Sequence, residues 1–247
     1  MAQDLFNFSG EPFYLKNVGN IYPLKVKDYI TFSTLYEPVL MMNYQHFNKE
    51  KSVDPDEPSL LELICEESAN DSYDTLLKIL NEIFKLALRK DVTGKRKDVA
   101  NAIFKTEEGG IIHEGNYDDV RKVIMAQNLL FDPPQFKSKF KQRYFEGWLK
   151  SREGKGANIT YHNYVTAVTA LGGYLPEQVM DMNVYQLRSL FAQFEEIEQY
   201  RRLSHIIGHG DVPERHFAEV SDITKSPYDG FLKNEKDTKL LQDQTSS

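Results

Sequence analysis

Apolar residues recur three and four positions apart along most of the chain, a spacing that predicts amphipathic helices packed around shared cores. The clearest stripe lies in a helix predicted to begin at an Asp71 or Ser72 cap and to end near Lys90. Its apolar positions are Tyr73, Leu76, Leu77, Leu80, Ile83, Phe84 and Ala87. This regularity makes the helix a central element of the predicted core.

Two helical patterns precede this element. Apolar positions from residue 25 to residue 47 keep helical spacing, but Pro38 lacks a backbone donor and crowds the preceding turn. That segment is therefore predicted to form two helices or one kinked helix. Ser59 can cap a shorter helix that runs through Cys65, because its hydroxyl can accept a backbone N–H of the first turn.

Three helices are predicted over residues 116–130, 133–152 and 160–172. Asn116 and Thr160 can cap the first and the third, and paired prolines open the second. The third ends at Gly172-Gly173, because glycine adopts the left-handed conformation common after a helix.

A long helix capped by Asn183 follows, and its apolar stripe changes face along its length. The first half carries one stripe, formed by Val184, Leu187, Leu190, Phe191, Phe194 and Ile197. The second half places its apolar residues on nearly the opposite side, at Tyr200, Leu203, Ile206 and Ile207. Either two layers of one monomer cover the two faces, or the second face binds another chain.

Strands are predicted only in the N-terminal half. Residues 12–23 suggest two short strands around Asn17 and Gly19-Asn20, and residues 104–113 suggest a hairpin around Gly109-Gly110. The second pair could continue the sheet begun by the first. The predicted fold class is mainly α, a multi-helix bundle with a small β-hairpin or short antiparallel sheet in the N-terminal half.

The predicted organisation has three parts. Residues 1–113 form an N-terminal α+β region, residues 114–211 a C-terminal helical bundle, and residues 212–247 a polar tail. Near the end of the chain, residues 233–247 contain only two aliphatic side chains. Too little apolar surface is present there to form a core, so the tail is predicted to be disordered.

The net charge, the cysteine count and the length of the apolar runs disfavour several classes of function. Thirty basic and 37 acidic residues leave a net charge of −7, which disfavours a general affinity for nucleic acid. A single cysteine, Cys65, cannot build a disulfide framework or a thiolate metal site, so a reducing cytoplasm is expected. No apolar run approaches the roughly 20 residues that span a bilayer, and no membrane partner is expected.

Candidate chemistry is sparse. The nearest approach to a metal cluster comprises His205, His209, Asp211 and His216. Glycines at positions 208 and 210 interrupt their helix, whereas zinc needs three or four fixed ligands, so no metal is expected. Phosphate-binding and acyl-transfer motifs are absent, so we expect no cofactor, no catalytic residue and no enzymatic activity.

Residues 137–155 are basic, with seven lysines and arginines against two glutamates. A possible basic patch comprises Lys137, Lys139, Lys141 and Arg143. Phe136, Phe140 and Tyr144 lie four residues apart, which predicts a buried aromatic stripe with a basic outer face. An acidic protein partner or a plain solvated face is preferred to nucleic acid, although aromatics between lysines could stack bases.

Two stretches, Ile21 to Tyr29 and Met182 to Leu187, together with the break at Gly172-Gly173, resemble helical proteins from the tail-gene region of tailed phages of Gram-positive bacteria. Some of those proteins resemble tail assembly chaperones. The resemblance implies a non-enzymatic protein of the host cytoplasm that binds tape-measure and tail-tube proteins before polymerisation. Under it, the partner contacts or a homo-oligomer interface would involve Trp148, Tyr200, Leu203 and Ile207.

Two alternatives remain open at this point. One is a structural virion component of the tail, baseplate or connector, which would be retained in particles. The other is a regulatory protein whose basic helix binds nucleic acid locally.

Overall fold

The computed structural model describes residues 8–47, 58–70, 74–134, 136, 138–152, 160–206 and 223–231. The chain is mainly helical with two small antiparallel sheets, as the predicted fold class states. The N-terminal helices are α1 (Val26–Leu35), α2 (Glu37–Leu40), α3 (Leu60–Ala69), α4 (Thr75–Leu88) and α5 (Tyr117–Gln127). A 3-10 turn covers Tyr44–Phe47. The later helices are α6 (Lys139–Arg152), α7 (Tyr161–Gly172), α8 (Pro176–Asp181) and α9 (Val184–Ile206).

The larger core gathers the N-terminal helices around α4. Leu80, Ile83 and Phe84 of α4 are fully buried, as the apolar stripe predicts. Phe84 meets the rings of Phe104 and Tyr117 edge-on, with centroids 4.8 and 6.3 Å apart. Helix α5 belongs to this core. The predicted division near residue 113 stays a prediction, but the packing joins residues on both of its sides.

The strands form two sheets. In the first sheet, β1 (Phe13–Leu15) pairs with β2 (Gly19–Ile21); in the second, β4 (Ala102–Thr106) lies between β3 (Val92–Arg96) and β5 (Ile111–Ile112). Both predicted hairpins are confirmed, whereas the single continuous sheet is wrong and β3 was missed. The sheets touch where the Ile111 N–H donates to the Asn17 carbonyl at 2.8 Å. At this contact a Cβ on Gly110 would lie 2.2 Å from the Val18 carbonyl oxygen, so only glycine is accommodated.

Local signals explain several helix ends. Ser59 and Glu62 form a reciprocal cap at the start of α3, and Thr160 and Asn163 form one at the start of α7. Gly173 follows α7 with a φ of +67°. Tyr36 separates α1 from α2, and Pro38 lies in the first turn of α2, which confirms the predicted break. The helix predicted to open at Pro133-Pro134 instead begins at Lys139.

The smaller core lies under α7, α8 and α9. Val168, Val179 and Leu187 are fully buried there, and they pack against Val26 at the start of α1. Tyr161 contacts both cores. Helix α1 therefore packs against both the N-terminal core and the C-terminal helices.

Candidate partner-binding surface

Helix α6 turns an aromatic face outward. Phe140 is 79% exposed and Tyr144 is 65% exposed, whereas Phe145 is fully buried. The predicted buried stripe through Phe140 and Tyr144 is therefore wrong. The inward face is formed by Phe145, Trp148 and Leu149, whose spacing of three and four residues was an equally available helical stripe.

The inward face of α6 is held by an aromatic cluster, which we define as Phe136, Phe145, Trp148, Tyr228 and Phe231. The Phe231 ring lies 5.1 Å from that of Phe145 and 5.4 Å from that of Trp148, centroid to centroid. The Arg152 guanidinium sits over the Trp148 ring at 4.3 Å. These contacts position α6, and Trp148 is accordingly half-buried within the protein. Its role as a partner contact stays a prediction.

The outward face of α6 combines aromatic and basic groups. At 3.6 residues per turn, Phe140, Tyr144 and Gly147 lie within about 60° of one another, and Arg143 and Lys150 both lie on one side of them. A Cβ on Gly147 would meet none of the described residues within 4 Å. We call Phe140, Arg143, Tyr144, Gly147 and Lys150 the outer face of α6; all five are exposed.

The predicted basic patch is divided by this geometry. Arg143 lies on the outer face, whereas Lys141 is half-buried toward the opposite side of the helix. Position 139 begins the helix one turn before Arg143, and its side chain lies outside the described residues, as does all of Lys137. Whether the four residues bind a partner remains untested.

The second face of α9 is only partly visible. Tyr200 is 44% exposed on this helix. Leu203 belongs to α9, but its side chain lies outside the description, and Ile207 lies beyond the described residues. The first stripe is clear, because Leu187 is fully buried while Phe191 and Phe194 pack on the smaller core. The change of face therefore stays a prediction beyond Ile197.

Ionisable groups in the described residues serve packing. Burial raises the pKa of the Cys65 thiol to about 12, which keeps it protonated and unreactive at neutral pH. Burial also raises the pKa of Glu37, whose carboxylate accepts a hydrogen bond from the Tyr29 hydroxyl at 3.1 Å. The Tyr161 ring packs against that of Tyr29 at a tilt of 45°, with centroids 4.7 Å apart, so these groups fill the contact between α1 and α7.

The described part of the chain has neither a metal cluster nor a membrane-spanning helix. No three histidine, cysteine, aspartate or glutamate side chains there converge to hold a metal ion. His205 lies in α9, and the other residues of the predicted histidine cluster fall outside the described ranges. Among the described helices, none combines the length and apolar character that crossing a bilayer requires.

The C-terminal part of the chain is similar to a known protein family. Residues 151–221 match the family described as the YomV second domain. Within the described residues, this match covers α7, α8 and α9, the helices that surround the smaller core. The match spans less than half of the chain.

A particular relative extends the similarity. The chain is 22% identical over 201 residues to the SPbeta prophage-derived uncharacterized protein YomV of Bacillus subtilis (strain 168), covering 79% of this chain and 78% of that protein. No solved structure matches. The similarity supports a phage origin for the chain, in agreement with the coarser part of the resemblance described above.

Proposed function

We propose that this protein is a non-enzymatic phage tail assembly chaperone that binds tape-measure and tail-tube proteins in the host cytoplasm before they polymerise. The observation that carries the proposal is the outer face of α6. An aromatic ring that is 79% exposed loses little conformational entropy on binding and buries a large apolar area, which makes Phe140 a suitable anchor.

The outer face is also preorganised. Phe145 and Trp148 fix α6 against Phe231, whose ring also lies 5.7 Å from that of Tyr144 at the border of the outer face, so a partner need not order the helix on binding. Arg143 and Lys150 beside the exposed rings would steer an acidic amphipathic helix toward the face. A helical partner with apolar anchors one turn apart would match the spacing of Phe140 and Tyr144.

The proposal is tested by co-expression of the full chain with the tape-measure or tail-tube protein of the same phage, followed by size-exclusion chromatography. A complex that survives with Leu175→Ser but is lost with Phe140→Ser supports it. Leu175 is a matched control because it is another large apolar residue with 62% exposure, located away from α6. If the chain forms a complex with neither the tape-measure protein nor the tail-tube protein, the chaperone role is contradicted.

A structural component of the tail, baseplate or connector would use the same surface but would remain in the particle. Mass spectrometry of purified virions separates these functions, because a chaperone is absent from them and a structural protein is present in fixed copy number.

A regulatory protein that binds nucleic acid is the second alternative, and the combination of exposed Tyr144 with Arg143 is the observation in its favour. Aromatic rings can stack on bases while cationic side chains bind phosphates. Retention of single-stranded DNA or RNA on a filter at low salt, lost as salt increases, would support it. The net charge of −7 opposes it.

A further inference from the structure

A cleft between α4 and the edge strand β3 carries a separate inference. Its cavity volume is about 340 Å³. One side is lined by Asp74, Leu77, Lys78, Asn81 and Glu82, and the other by Thr93 to Arg96. The two carboxylates are offset by ion pairs, Asp74 with Arg96 and Glu82 with Lys85. Among the described residues, β3 pairs with β4 alone, so its second edge has no strand partner there and lies beside this cleft.

The hydrogen-bond register shows which backbone groups of β3 point away from β4. The Lys97 N–H donates to the Asn101 carbonyl at 2.8 Å, and the paired residues of an antiparallel ladder alternate from there. Lys95 and Thr93 therefore direct their backbone groups toward β4. Gly94 and Arg96 direct theirs away from β4, where another extended chain could bind them.

A side chain at the same place has no hydrogen-bond partner among the described residues. The Asn81 Oδ1 is buried there without one and lies 3.3 Å from the position that a Cβ on Gly94 would occupy. An unpaired buried acceptor is costly, and a donor from a bound segment would remove that cost. A single bound segment would therefore pair with both the second edge of β3 and the Asn81 Oδ1.

The charges select the kind of segment. Phe104 and Ala102 face the core, so their neighbours on β3 and β4 that face outward include Lys95 and Lys105. Within the described residues, neither lysine side chain makes a hydrogen bond or an ion pair. A second copy paired through β3 would bring like charges together around Lys95, which disfavours self-association through this edge.

We propose that the α4–β3 cleft binds an extended acidic segment of a partner protein, which adds to β3 as a further strand. Its backbone pairs with Gly94 and Arg96, alternate acidic side chains meet Lys95, and a polar side chain on the other face donates to Asn81. This mode of recognition takes affinity from main-chain hydrogen bonds and specificity from alternate side chains. The site is independent of the outer face of α6.

The probe is a display library of linear peptides of about 12 residues, long enough to cover a strand of typical length. The full chain is used as bait, and an enriched peptide is then synthesised. We expect enriched sequences to carry acidic residues at alternate positions and to lack proline at their centre. Lys95→Glu should raise the peptide's Kd about tenfold, whereas Lys122→Glu on exposed α5 surface should not change it.

Two further measurements make the test specific. Bound peptide should slow hydrogen exchange at the Gly94 and Arg96 amides but not at Thr93 and Lys95, which already pair with β4. Asn81→Leu should weaken binding about fivefold without lowering the melting temperature, because the buried acceptor is removed rather than stranded.

The proposal is overturned if the selection enriches no alternating acidic pattern, or if a bound peptide leaves exchange at Gly94 and Arg96 unchanged. A dimer that protects these same amides without peptide would equally overturn it, since the occupant would then be a second copy. None of these measurements depends on α6. If no complex forms through the outer face of α6, the peptide experiments still test the α4–β3 cleft.

Discussion

Lys25 and Asn183 pair as an isolated antiparallel β-bridge between the two cores. The Val26 N–H donates to the Met182 carbonyl at 2.8 Å, and the Val184 N–H donates to the Leu24 carbonyl at 3.3 Å. The bridge thus joins the two stretches that carry the phage resemblance. Asp181 binds both Lys25 and Lys27 at the rim of this contact, which lowers the pKa of Asp181.

Asn183 also caps α9, and its loss should destabilise the junction. Its Oδ1 accepts the Gln186 N–H at 2.7 Å, so Asn183→Ala should lower the free energy of unfolding by about 1 kcal/mol. Urea denaturation measures the change. Asn183→Asp retains the acceptor and should cost less; equal losses from both substitutions would show that the cap is unimportant.

Arg121 should be essential for the attachment of α5. Its Nε donates to the Leu40 carbonyl at 2.7 Å, and its terminal nitrogens bind both oxygens of Asp132. Arg121→Met keeps the apolar stem but leaves the Leu40 carbonyl unpaired, which should cost roughly 1–3 kcal/mol. Lys122→Met, on the exposed side of the same helix, should change stability by less than about 0.5 kcal/mol. Similar denaturation midpoints for the two variants would contradict the assignment.

Glu37 should make stability depend on pH. Burial raises its pKa in the folded state, so folding favours the protonated carboxyl, and its contribution to stability decreases as pH rises through that raised pKa. Glu37→Gln should therefore be at least as stable as the unsubstituted protein at pH 7, and the difference should vanish below the unfolded pKa of about 4.3. Urea midpoints at pH 4 and pH 7 measure it.

Tyr29→Phe provides an independent check on Glu37. The Tyr29 hydroxyl donates to the Glu37 carboxylate and thereby lowers the pKa of Glu37 in part. Without this donor, the pKa of Glu37 should rise further and the loss of stability with increasing pH should become steeper. If neither Glu37→Gln nor Tyr29→Phe changes the dependence of stability on pH, other ionisable groups cause that dependence.

Phe140 should affect binding far more than stability. Its ring is largely in solvent, so Phe140→Ser should change the free energy of unfolding by less than about 0.5 kcal/mol. If Phe140 anchors a tail protein, the same change should weaken the complex at least about tenfold, as truncation of a central aromatic does. Titration calorimetry with the co-purified partner measures the affinity. Phe145→Ser should instead unfold the aromatic cluster, because that ring is fully buried.

Sequence reasoning succeeded where short-range chemistry determines the structure. The reciprocal caps at Ser59 and Thr160, the break at Pro38 and the turn at Gly109 all act within a few residues. It failed on α6, where two stripes of equal helical spacing were available. Tyr228 and Phe231, which are distant in sequence, pack against Phe145 and so decide which stripe is buried.

The amino-acid sequence by itself determined the helical class, most element boundaries and the apolar stripe of α4, because these depend on local backbone preferences and periodicity. Only the tertiary structure decided that, within the described part of the chain, β3 has an unpaired edge and Asn81 an unpaired acceptor beside it, and that Phe140 faces solvent. These properties depend on which distant elements pack together, and spacing along one helix or strand does not specify its neighbours.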